Sequence, residues 1–193
     1  MRLLLRLVLW PWLLAALIVG RLECLARLPA WGLPGLVAGL AALTLVGVYG
    51  FRQPRAWSAA LDLKRVVVVH GVRLYGIYLL ALYARGELPY ALVPGAWSDI
   101  LVAVLAVGVA LLPLRAGLRR HLLVIWNTVG VMGLLLVGIA STRVGLAQPW
   151  RLEPFYRLPL SLLPTFVLPL LLVTHVILYV RLRLEAPETA RPA

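Results

Sequence analysis

Long apolar runs broken by short, arginine-bearing segments set the rhythm of this chain. The runs cover residues 3–19, 33–49, 66–83, 97–114, 122–140 and 159–180. Crossing about 30 Å of hydrocarbon takes about 20 apolar residues at about 1.5 Å each. Each run therefore predicts a membrane-spanning helix. The fourth is apolar only from Ile100, and reaches full length by including Ala96 to Asp99, with Ser98 as N-cap after Pro94-Gly95. The pattern predicts an all-α, polytopic transmembrane bundle of six helices, a single domain over residues 1–193 with no soluble domain.

Composition removes the soluble alternative. Hydrophobic residues make up 63% of the 193 positions and charged residues 13%. A water-soluble fold of this size has no interior large enough to hide that much apolar surface. The net charge of +12 invites a nucleic-acid reading, but the arginines punctuate the apolar runs instead of forming a basic face. They act as topology signals. With six spans, twelve of the Lys and Arg residues fall on the side of both termini and six on the other, with Arg73 inside a span. That excess predicts both termini in the cytoplasm of a bacterial inner membrane. Trp31, Trp97 and Trp150 at the outer boundaries and Trp57 at an inner one read as interfacial anchors.

Arg2 and Arg6 ahead of the first run resemble a signal peptide, but no small-x-small cleavage site follows, so an uncleaved anchor is expected. Cys24 is the only cysteine, which excludes an internal disulfide, a zinc cluster or a Cys-X-X-Cys redox pair. Gly35-x-x-x-Gly39, and Gly130 with Gly133, are expected to let helix backbones approach closely. Pro11 and Pro169 should bend their helices by removing internal hydrogen bonds. The outer loops 84–97 and 141–158, rich in Pro and aromatic residues, are expected to lie on the membrane face. The inner segment 52–65 reads as an interfacial helix or a cytoplasmic extension of the third span.

Ionisable groups in hydrocarbon cost about 2.5–3.5 kcal/mol each on insertion scales, so those inside the spans carry the functional signal. Measured by helix rise from the inner basic residues, His70 lies ~8 Å deep, His175 ~9 Å, Asn127 ~10 Å and Arg73 ~12 Å. These four form one layer in the inner half. His70 and Arg73, three residues apart, share a face, and Tyr75 and Thr174 lie close enough to join them. No acid completes the layer. All seven acids fall at or beyond the predicted interfaces, and Asp99 reads as a first-turn residue near the outer surface, about 10 Å from Arg73. Arg73, Asn127, His175, His70 and Tyr75 thus form a candidate ligand site, with an unbalanced guanidinium suited to a small anion. No catalytic set is legible: there is no Ser-His-Asp arrangement at a common depth, no phosphate loop, no His-Glu zinc motif and no carboxylate relay.

Several motifs resemble those of a group of uncharacterised bacterial six-span membrane proteins. They are Arg73-x-x-Gly76, Tyr83-Ala84-Arg85-Gly86-x-Leu88-Pro89 and Pro94-Gly95-Ala96-x-x-Asp99-Ile100, followed by Trp126-Asn127-x-x-Gly130 and Pro164-x-Phe166-x-x-Pro169 leading to His175. The resemblance spans residues 70–180. Ser98 stands where the pattern has glycine, and His70 has no counterpart. The group has no known activity, so the resemblance implies the architecture and singles out Arg73, Asp99, Asn127 and His175.

Three functional expectations follow. The first is a non-enzymatic membrane protein, either an accessory subunit packing against other membrane subunits or a binder of a small lipid-soluble or anionic ligand. The second is a redox subunit binding a quinone or b-type haem, with His70 and His175 as axial ligands and Arg73 beside a propionate. The third is a small anion transporter or channel selected by Arg73. The lipid bilayer is the common partner, and nucleic acid is excluded.

Overall fold

In the computed structural model, residues 2–29, 31–52, 56, 58, 60–113 and 115–184 are described, residues 2–6 and 116 by their backbone alone. Among them the chain is all-α, with no strand. Helix α1 runs Arg2–Arg21, α2 Gly32–Tyr49, α3 Leu63–Val69, α4 Tyr75–Ala84, α5 Val93–Leu111, α6 Ala116–Ala147 and α7 Leu168–Leu184. Helices α3 and α4 are joined by a 3-10 turn, His70–Leu74, into one apolar stretch of 22 residues.

Among the described residues, five stretches are long and apolar enough to cross a membrane: Gly32–Tyr49, Leu63–Ala84, Tyr90–Leu111, Gly117–Ala147 and Leu163–Leu184. The sixth expected span, α1, is not among them, because its described apolar part is the shorter stretch Leu7–Arg21. The exposed surface carries large apolar side chains on every one of these helices, such as Leu43, Ile77, Leu101, Ile139 and Leu184. Water would not tolerate that surface; acyl chains do. The chain has the build of a multi-pass membrane protein.

Several expected boundaries shift. Helix α5 starts at Val93, where Pro94 fits the first turn because its missing N–H would have no partner there anyway. Ser98 is therefore inside the helix and not its N-cap. The same helix ends at Leu111, with Leu112 held extended ahead of Pro113. Helix α6 begins at Ala116 and runs 32 residues to Ala147, absorbing the start of the second outer loop. The third span reaches back to Leu63, capped by the Asp62 carboxylate, which accepts from the Lys64 amide at 2.9 Å. Trp57 lies outside the described residues, as does most of the segment before Ser58. The outer loops also turn inward: Leu88, Leu92 and Leu152 are buried in the bundle end, with Phe155 packed against them, instead of lying on the membrane face.

Helix α7 shows how a proline is accommodated in lipid. Pro169 has no amide for the carbonyl of Thr165, four residues earlier. The preceding turn, Leu163–Val167, widens into a π-helix, and the Trp12 Nε1–H of α1 donates to that carbonyl at 2.8 Å. Trp12 also meets Phe166 edge-on, with centroids 5.3 Å apart. One indole thus docks α1 onto the last span and satisfies the backbone group that Pro169 orphans.

Two large apolar clusters make most of the core, with a small third one at Ala41, Val173 and Ile177. One contains Leu79, Leu82, Leu92, Ala96, Val144 and Leu163; the other contains Val66, Val67, Val102, Ala106, Leu123, Trp126, Leu178 and Leu182. The stretch 63–84 and helices α5, α6 and α7 each pass from one cluster to the other. At the crossing point each contributes a buried polar residue.

Candidate functional site

Those crossing residues are Arg73, Asp99, Asn127 and His175, together with His70, and all five are buried. Local structure explains the first pair. In a 3-10 turn, residues three apart eclipse one another, so His70 and Arg73 project from one face of the His70–Leu74 segment. One turn further on, Gly76 lies so close to α5 that an added Cβ would collide with the Ala96 carbonyl. This close approach of α4 and α5 brings Arg73 against Asp99.

The Arg73 Nε–H donates to Asp99 Oδ1 at 2.7 Å, and Nη2 reaches the same oxygen at 2.7 Å. The Tyr75 hydroxyl lies beside the Asp99 carboxylate. The expected absence of an acid is thereby corrected. Asp99 is not a first-turn residue at the surface: α5 begins six residues earlier, placing it ~9 Å along the helix and level with Arg73. Charge balance in the low-dielectric interior gives the pairing its physical reason, since either ion alone would be strongly destabilising there.

The remaining Arg73 donors are also engaged. Nη1 and Nη2 donate to the Gly130 carbonyl at 3.2 and 3.3 Å, and Nη1 lies 3.3 Å from His175 Nε2. Asn127 holds His175 twice: its Nδ2 donates to the His175 carbonyl at 3.1 Å, and its Oδ1 lies 2.7 Å from the ring Nδ1. Oδ1 accepts only, so the proton sits on Nδ1 and the Nε2 lone pair faces the guanidinium. Gly130 makes this possible, because a Cβ there would overlap the His175 ring. Gly133 similarly leaves room for Ser98. These two glycines admit side chains and not neighbouring backbones. Among the described residues a Cβ at Gly39 meets nothing within 4 Å and one at Gly35 meets only Trp31, just ahead of its own helix, so neither glycine marks a close helix–helix approach.

His70 forms the second branch. Its Nε2 lies 3.1 Å from Thr174 Oγ1, whose own proton goes to the Leu171 carbonyl at 2.8 Å. His70 Nε2 is therefore the donor, and its buried Nδ1 has no hydrogen-bond partner among the described residues. The ring meets Trp126 edge-on, at a centroid distance of 4.8 Å, and lies tilted against the His175 ring, at 4.4 Å. Trp126 is a site residue that the sequence reading passed over except within a motif; its Nε1–H is anchored on the Val102 carbonyl at 2.9 Å.

The arrangement does not fit a bis-histidine haem. Axial ligation needs a macrocycle plane between two imidazoles, each offering a nitrogen lone pair. Here the two rings touch, the His175 Nε2 lone pair is spent on Arg73, and its other nitrogen is held by Asn127. Among the described residues no group of three His, Cys, Asp or Glu side chains is disposed to hold a metal ion.

What the cluster can do follows from its balance. It is a neutral, hydrogen-bonded layer in which one carboxylate oxygen takes two N–H groups of a guanidinium, the contact a small carboxylate or other anion would make.

No curated protein and no solved structure matches the chain. A family model described as "Domain of unknown function (DUF8737)" matches residues 30–183, from just before α2 almost to the end of α7 and including every member of the buried cluster. The chain belongs to that family of unknown function.

Proposed function

We propose that this is a non-enzymatic protein of the bacterial inner membrane, crossing six times with both termini in the cytoplasm, that binds a small anion at Arg73. The single observation that carries this reading is the seat of the Asp99 carboxylate on Arg73, fully buried and held at 2.7 Å. Intramembrane ionisable groups are functional by default, and this carboxylate occupies the position an acidic ligand would take. The inclusion of α1 as a sixth span rests on Arg2 and Arg6 ahead of its apolar run, and on the excess of basic residues on one side.

An anion entering beside Arg73 would displace Asp99. Two anions facing one guanidinium leave a net charge in hydrocarbon, so the displaced carboxylate must take up a proton, with Tyr75 still beside it. Anion binding is therefore proton-linked: it tightens as pH falls. Acetate, which copies the Asp99 side chain, is the probe. Its addition should raise the thermal midpoint of the wild type, more at low pH than at high. Asp99→Asn removes the competitor and the need for a proton, so acetate should stabilise that variant more strongly and without pH dependence. Arg73→Gln should abolish the response. An Asp99→Asn protein indifferent to acetate and chloride sinks the reading, since a purely structural ion pair predicts instability that no anion repairs.

A further inference from the structure

A second region, apart from the polar layer, has the form of a ligand site. Between α2, α6 and α7 lies a cavity of about 330 Å³. Its walls include Val37 and Ala38 from α2, Leu134 and Gly138 from α6, and Leu168 and Leu172 from α7. That volume is at the small end of ligand pockets, which run about 300–1,000 Å³. The wall is almost wholly apolar. Its two hydroxyls, Ser141 and Thr142, both donate to the Gly138 carbonyl, at 3.0 and 2.8 Å. With both hydroxyl protons taken and the rest of the wall apolar, the chemistry inside favours a hydrocarbon chain.

The surroundings identify which chain. Leu135 and Ile139 belong to the same wall, yet each is about half exposed, at 51% and 52%, so the cavity opens onto the lipid-facing surface. Arg143 follows Thr142 directly, and Arg151 precedes the wall residue Leu152. Both arginines are exposed, and neither has an ion pair or hydrogen bond from its side chain among the described residues. Nearby Arg157 differs, being held by Glu23 at 3.2 Å and Glu153 at 2.8 Å. An apolar slot open to the bilayer, with unengaged cations on the residues next in sequence to its wall members Thr142 and Leu152, complements a molecule with an alkyl tail and a negative head.

We infer that this cavity is a binding site for an anionic phospholipid, with one acyl chain between α2, α6 and α7 and the phosphate at Arg143 and Arg151. The inference is independent of the anion site at Arg73. Gly138 supplies the test, because a Cβ there meets nothing within 4 Å and a larger side chain grows into the cavity. The probe is thermal unfolding in mild detergent with phosphatidylglycerol or phosphatidylcholine of identical chains, alongside mass spectrometry of copurifying lipid. The wild type should gain several degrees from phosphatidylglycerol and less from phosphatidylcholine. Gly138→Leu should lose the lipid response and the copurified lipid, and Ala38→Leu serves as an independent block from the opposite wall. Arg143→Gln with Arg151→Gln should keep the fold and lose the preference between the two headgroups. An unchanged lipid response in both blocked variants overturns the inference, as does an equal response of the wild type to the two lipids. Copurification of a non-phospholipid apolar molecule in the cavity does the same.

Discussion

Helix α6 runs past two sites of opposite character. At Gly130 it borders a polar layer in which every bond of Arg73 is spoken for; two turns later, at Gly138, it borders an apolar cavity with open space. The same residue type serves both, for contrary reasons. Gly130 is filled against, because the His175 ring and the Arg73 guanidinium occupy the volume a side chain would need. Gly138 leaves a vacancy. In a membrane protein neither site can be recognised by hydrophobicity alone, since lipid, wall and core are equally apolar. What distinguishes them is whether polar atoms must be matched or only volume.

That contrast is broken most severely by removing one ion. Asp99→Leu should cost about 3–5 kcal/mol, because it leaves Arg73 charged and uncompensated in the interior. The double variant Asp99→Leu with Arg73→Leu should recover much of that loss. Reversible unfolding in mixed micelles measures both. A double variant as unstable as the single one would show that packing, and not charge balance, sets the cost.

The two glycines give the sharper test. Gly130→Ala should destabilise by about 1–3 kcal/mol, the usual penalty for overpacking a filled core. Gly138→Ala should instead stabilise by up to about 1 kcal/mol, since alanine favours the helix and meets no neighbour. The same assay, run on both, must give opposite signs. Equal effects would mean that the cavity closes in the membrane.

The smallest expected change lies at the docking of α1. Trp12→Phe keeps an aromatic ring against Phe166 but removes the hydrogen bond to the Thr165 carbonyl, a loss of about 1 kcal/mol. Hydrogen exchange at α1 and at the π-turn should rise in this variant while the polar layer stays protected. Exchange that rises equally at Arg73 and His175 would tie the two regions together.

The chain's apolar runs were enough to establish an all-α chain with the build of a membrane protein and to mark where its helices lie, although α6 starts six residues before its run and ends seven after it, and α7 starts nine residues into its own. Helix rise was enough to place His70, Arg73, Asn127 and His175 at one depth, because depth along a helix is a property of position in sequence. The partner of Arg73 was not legible. Its identity depended on where α5 begins, and the turn residues from Pro89 to Ser98 allow more than one start. Among the described residues the count of long apolar helices also came out at five instead of six, since the described apolar part of α1 is only Leu7–Arg21.

Other features belong to tertiary structure alone. Which glycine admits a side chain and which faces open space depends on the neighbour across the gap, as Gly39, Gly130 and Gly138 show. The capture of an orphaned carbonyl by Trp12, 153 residues away in sequence, follows from the docking of two helices. Sequence fixes what each helix carries and at what height. Only packing decides what it faces, because the faces are set by rotation and approach between helices that no local pattern encodes.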